Sequence, residues 1–201
     1  MEKRTDPDKI SLGSGKAYIM EYSGTMPTEA EICTPENILG KIQGGAELTY
    51  SASHHEEKDD LGTVAKRVIT AEEAALKLGL ITFNGNTLAK LADRCKTTEK
   101  DGKRTVHIGG AGNAQGKDWV VCFHHHDPVD GDVWVIVRGG NQAGLTLTYA
   151  VDKGTKIEPV FQALPQDDAG TLITYIEEIA SENEASAAAE TGAEGDASSE
   201  E

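Results

Sequence analysis

Three imidazoles, a thiol and a carboxylate fall within six residues at Cys122-Phe123-His124-His125-His126-Asp127, and all of these groups ligate transition metals. On a strand, Cys122, His124 and His126 share one face while His125 takes the other, so this element offers at most one Cys and two His. A further ligand would have to come from elsewhere, such as His107, and the chain contains no Cys-x-x-Cys pair to supply one. Two readings follow: a small metal-dependent β-barrel enzyme built on Cys122, His124 and His126, or a solvated strand end running into the turn at Pro128. The spacing favours the second, so no metal, cofactor or catalytic residue is assigned.

A second polar cluster, His54-His55-Glu56-Glu57-Lys58-Asp59-Asp60, carries carboxylates suited to acid–base work. Catalytic carboxylates need burial or a rigid frame to shift their pKa values. This stretch is too polar to anchor on a core, and is expected to be a mobile loop over 54–62 serving as an intermolecular contact. The glycine-rich run Gly109-Gly110-Ala111-Gly112-Asn113 lacks the Gly-Lys-Ser/Thr ending of a phosphate cradle and reads as a loop. Cys95, Trp119 and Trp134 read as core packing.

Composition narrows the function classes. The chain has 201 residues, with 19 Lys or Arg against 34 Asp or Glu, for a net charge of −15. No more than two basic residues are ever adjacent, so tight binding of nucleic acid through phosphate contacts is excluded. From Glu177 onward there are nine acids and no base, so the rest is only mildly acidic. Residues 179–201 have almost no large apolar side chain and are expected to form a disordered acidic tail. Residues 1–15 read as a flexible arm, leaving 16–178 as one domain. No run of 18 apolar residues occurs, and the opening MEKRTDPDKISLGSG lacks the apolar middle of a signal peptide. No membrane partner is expected. Cys33, Cys95 and Cys122 are odd in number and indicate no disulfide framework.

The elements that must position these groups are mostly strands. Period-two patterning and turn signals place them at Lys16 to Tyr22, Gly45 to Ser53, Thr63 to Thr70, Glu72 to Phe83 and Thr105 to Ile108. Further strands are expected at Asp118 to Phe123, Asp132 to Arg138, Leu145 to Val151, Thr155 to Ala163 and Thr171 to Ile176. Gly24 to Ile42 reads as an irregular covering segment. One helix is expected over 85–95, with Leu88, Leu91, Ala92 and Cys95 on its apolar face and Asn84 or Asn86 as cap. Many short strands with one helix imply a mainly β protein, a β-sandwich or barrel with one flanking α-helix.

Segment order then becomes informative. The runs LGSGKAYIMEYSGTMPTEAEI, LGKIQGGAELTYS, KDDLGTVAKRVITAEEA, LKLGLITFNGNTLAKL, DGKRTVHIGG, HHDPVDGDVWVIVRGGNQAG and FQALPQDDAGTLITYIEE together resemble the major tail tube proteins of long-tailed bacteriophages, in the form common in phages of Gram-positive bacteria. The resemblance covers about Leu12 to Glu178. It implies a non-enzymatic virion subunit, made in the host cytoplasm, that forms hexameric rings stacked into a hollow tail tube. Its implied partners are further copies of itself, a tape-measure protein, a tail terminator and baseplate or distal tail proteins. DNA would pass through the lumen without specific binding. The fold is shared with tubes of contractile tails and with the type VI secretion ring protein, so a contractile or secretion-like particle is the alternative.

Under this resemblance, strand edges left open in one subunit are closed by its neighbours. Four strands per subunit give about 24 per ring, and at roughly 4.8 Å each the barrel is near 37 Å across before tilt. The lumen-strand charge candidates are Glu47, Lys66, Arg67, Glu72, Glu73 and Lys77, which are mixed in sign. His54, His55, Glu56, Glu57, Lys58, Asp59 and Asp60 are the inter-ring contact candidates, together with the 1–15 arm. The acidic tail is expected either to decorate the outside or to restrain association by charge repulsion that salt weakens.

Overall fold

Alternating apolar and polar residues close into a barrel in the computed structural model, which describes residues 13–63, 65–152 and 154–179. The first twelve residues of the expected arm and all but the first residue of the acidic tail lie outside the described residues. The strands are β1 (Gly15–Glu21), β2 (Ile38–Lys58), β3 (Ala65–Leu80), β4 (Cys95–Lys100), β5 (Lys103–Ile108), β6 (Trp119–His125), β7 (Val133–Asn141), β8 (Val160–Leu164) and β9 (Thr174–Glu177). Among the described residues two α-helices accompany them, α1 (Glu29–Ile32) and α2 (Gly85–Leu91). The protein is mainly β, as its patterning implies.

The large sheet runs β6-β1-β2-β3-β8-β7, and a further β6–β7 pairing closes it into a six-stranded antiparallel barrel. The other edge of β7 is shared: Val133 to Ile136 pair with β9, and Arg138 to Asn141 pair with β8. The separate β4–β5 hairpin contacts α2.

Inward residues of successive strands fill the barrel. Ala17, Ile19, Leu76, Leu78, Leu80, Val121, Val137, Ile157 and Phe161 are all buried in one cluster, joined by Leu91 from α2. Residues of opposite parity on β1, β6 and β7 build a second core outside the barrel, from Tyr18, Val120, Cys122 and Ile136. The segment before β2 covers that core with Ile32 of α1, which is fully buried. A capping box fixes this four-residue helix: the Thr28 hydroxyl accepts from the Glu31 amide, and the Glu31 carboxylate accepts from the Thr28 amide at 2.8 Å. The expected covering segment thus contains a helix, and its end belongs to β2.

Several boundaries differ from expectation for identifiable reasons. The helix ends at Leu91, four residues early, because its last carbonyls find side-chain donors: Gln115 Nε2 reaches Ala89 O and Ala92 O, and Asn141 Nδ2 reaches Leu91 O at 3.0 Å. Ala92 is already extended, and Cys95, still buried, opens β4 against Ile108. Leu145 to Val151 alternates correctly yet forms no strand. The barrel edges it would need are occupied by β8, so Leu145 and Leu147 pack on the core while Tyr149 and Val151 remain exposed. The expected Thr155 to Ala163 strand is reduced to a bridge at Ile157 and to β8.

The largest departure concerns the expected 54–62 loop. His54 to Lys58 continue β2 and pair with Ala65 to Ile69, while the two strands expected over 63–83 merge into β3. One register shift, beside Thr70, marks the join. Polarity alone does not forbid a ladder, since backbone hydrogen bonds need no core. The turn beyond it is closed by Gly62 N to Asp59 O at 2.9 Å and by Thr63 Oγ1 to Asp59 Oδ2 at 2.6 Å.

Several strands of the barrel approach closely at glycines, and the approach of β8 to β7 is the tightest. A Cβ on Gly139 would lie 1.9 Å from the Gln162 carbonyl oxygen, a backbone atom of the neighbouring strand. Gly139→Ala is therefore expected to force β8 away from β7 and to cost about 1–3 kcal/mol, read as a lower urea midpoint.

Candidate functional site

Two places concentrate what the fold leaves unexplained: the outer part of the β2–β3 hairpin, and the turn between β6 and β7. Among the described residues, β2 beyond Ala46 pairs with β3 alone, and β3 before Ala75 pairs with β2 alone. Of the thirteen residues from Ala46 to Lys58, the outer nine, Tyr50 to Lys58, pair with 65–74 of β3 as a two-stranded ribbon about 30 Å long. Nearly all residues of this outer hairpin are exposed, including Leu48 at its base, Tyr50, Val68 and Ile69. A lone two-stranded ribbon is marginal in water, and two unpaired edges invite partners.

Register sorts the ribbon into two faces, because cross-strand partners lie on the same side. One face continues the barrel interior from Leu76 and carries Leu48, Tyr50, Ala52 and Ile69, with Glu72, Arg67, Glu56 and Lys58. The other carries mostly small or polar residues, Thr49, Ser51, Ser53, Ala71 and Ala75, with Glu47, Glu57, Glu73, Lys66 and Lys77, and one exposed apolar side chain, Val68, opposite His55. The six lumen-charge candidates are thus divided, four on the second face and Arg67 and Glu72 on the first. The second face has three acids and two bases, so it is mildly acidic. The inter-ring candidates His54 to Asp60 occupy the ribbon's far end. There His55 Nε2 lies 2.8 Å from Glu57 and Lys58 Nζ lies 2.5 Å from Glu56. These exposed pairs add little stability.

At the β6–β7 turn, His124 and His126 converge on one carboxylate that sequence reading overlooked. His124 Nε2 lies 2.7 Å from Asp132 Oδ2, and His126 Nδ1 lies 2.7 Å from Asp132 Oδ1. The Asp127 amide also donates to Asp132 Oδ1, and the Asp132 amide donates to Glu178 Oε2. Asp127 Oδ1 accepts from the Val129 and Asp130 amides, so the turn itself is firmly held. His124 stacks on Trp134, with ring centroids 4.9 Å apart and planes 7° from parallel. The remaining imidazole, His125, points the other way and is buried, with Nδ1 against Ser14 O at 3.0 Å.

No protein-family model and no curated protein matches the chain.

The other sequence candidates separate. Cys122 Sγ is 3.7 Å from Cys33 Sγ in the second core, away from the imidazoles, and burial pushes its thiol pKa up. The Cys122, His124, His126 set is therefore not one site. His107 belongs to β5 and faces Lys96 across the β4–β5 hairpin. Gly109 and Gly110 turn the chain at positive φ, and Asn113 Nδ2 closes the loop on Gly109 O at 2.7 Å. Trp119 packs on the barrel core and Trp134 on the second core. Among the described residues, no helix is long and apolar enough to cross a membrane.

Asp132 carries a pH signature. Desolvation raises its pKa, but hydrogen bonds from His124, His126 and the Asp127 amide lower it more, and the carboxyl lies below its ordinary 3.8. A depressed folded-state value makes the carboxylate's contribution complete above about pH 4 and lost as pH falls through the folded value. Asp132→Asn should lower the urea midpoint at pH 6, and the gap from the parent chain should narrow below about pH 4.

Proposed function

We propose that this chain is a self-assembling tube subunit of a bacteriophage tail, with the outer β2–β3 ribbon as its assembly element. The ribbon carries the reading: about 30 Å of ordered strand with two unpaired edges has no role in an isolated barrel. Identical copies supply what its edges lack, and a ring leaves no edge at all. The apolar side with Leu48, Tyr50 and Ile69 faces a neighbouring subunit. The mildly acidic side faces the lumen, where it offers DNA phosphates little to hold. The ribbon tip at His54 to Asp60 contacts the next ring.

Negative-stain microscopy of concentrated protein tests this reading. Rings or hollow rods are the expected result. Compact particles alone, under all concentrations and with a tape-measure protein present, would overturn it.

A further inference from the structure

We propose that His124, His126 and Asp132 form a binding site for a divalent first-row transition ion, of which Zn2+ is the simplest probe. The donor atoms of the three side chains all lie within 4.8 Å of one another, so each imidazole nitrogen needs to move by only a fraction of that to share one ion at bond lengths near 2.0–2.2 Å. Two imidazoles and one carboxylate are a borderline donor set that favours Zn2+, Co2+, Ni2+ or Cu2+ over Mg2+ and Ca2+, which prefer all-oxygen cages.

The surroundings hold these donors in place. Trp134 fixes the His124 ring by stacking, and the Asp127 amide orients the Asp132 carboxylate. Such supporting contacts determine how well ligands are presented to an ion. Access is open from one side: His124 and Asp132 side chains are 18% and 15% exposed, whereas His126 is 72% exposed. An ion can therefore enter past His126 and keep water in its remaining positions.

Binding requires the lone pairs of His124 Nε2 and His126 Nδ1. Each neutral ring must then carry its proton on the other nitrogen. The titratable groups around the site are the two histidines, Asp132, Asp127 and Glu178. The bound ion would tie the end of β6 to the start of β7. This role is independent of the tube assembly proposed above and belongs equally to an isolated subunit.

Titration of the untagged full chain with Zn2+ by isothermal calorimetry at pH 7.5 tests the site. One ion per chain is expected, with a melting temperature that rises with Zn2+ concentration by mass action and is unmoved by the same concentration of Mg2+. His126→Ala, at an exposed position that should leave the barrel intact, is expected to weaken binding at least tenfold, as is Asp132→Asn. A double variant His54→Ala/His55→Ala should bind as the parent does. Absence of stoichiometric binding, or unchanged affinity in the folded His126→Ala chain, would overturn the assignment.

Discussion

A chain in which residues 54–70 are replaced by Asn-Gly is expected to fold as a barrel and to form no tubes. Ser53 and Ala71 are paired across the hairpin, and Asn-Gly is the two-residue connection that such a pair accepts. Among the described residues, those removed contribute nothing to either buried cluster, so the melting temperature should move by only a few degrees. Assembly should disappear, because the ribbon tip goes together with more than half of the unpaired strand edges. Removing His54 to Asp60 alone is a less clean test, since it deletes Glu56 and Glu57 and leaves Arg67 and Lys66 without their cross-strand partners. Sedimentation velocity with negative-stain imaging reads the result. Normal tubes from the shortened chain would exclude the ribbon as the assembly element.

Phe161→Ala is expected to produce the largest loss of stability. Phe161 is fully buried, pairs with Leu76 on β3 and with Asn141 on β7, and is among the largest side chains in the barrel. Truncating such a residue costs about 3–5 kcal/mol, a large part of the ~5–15 kcal/mol that holds a domain together. The urea midpoint should fall accordingly with little change in slope. Tyr50→Ala on the ribbon removes a ring that is more than half exposed and should change stability by no more than about 0.5 kcal/mol. Its effect, under the proposed function, is on assembly. The two variants thus separate folding of the subunit from association of subunits.

Local patterning was informative where burial and turn chemistry agreed. Alternation placed β1, β6 and β7 closely, because residues such as Ala17, Ile19, Val121 and Val137 all face one interior. The Asn84 side chain accepts from the Asn86 and Thr87 amides at the start of α2, as the capping residues suggested. Polarity misled at His54 to Lys58: without a core to bury, nothing in those residues distinguishes a loop from a solvated strand. The decisive term is the register inherited from Leu48 and Leu76 at the ribbon's base.

The histidine turn was half legible. His124 and His126 are two residues apart and share a face by strand geometry, while Asp132 lies beyond Asp130-Gly131, a recognised turn signal. Folding the hairpin about that turn brings the carboxylate back to the imidazoles, and its pairing of His124 with Trp134 stacks the ring. Cys122 has the right spacing for the same set, yet the second core draws it to Cys33, 89 residues away in sequence.

The sequence by itself determined a mainly β domain, the cap of α2, the parity of the inward strand residues and the acidic balance. These depend on neighbours a few positions apart. Only the tertiary structure decided that β6 meets β7 to close the barrel, that Leu91 ends a helix because Asn141 takes its carbonyl, and that Leu145 to Val151 finds no edge. Each of those outcomes rests on which distant group occupies a limited hydrogen-bonding position, and alternation along a chain carries no information about that.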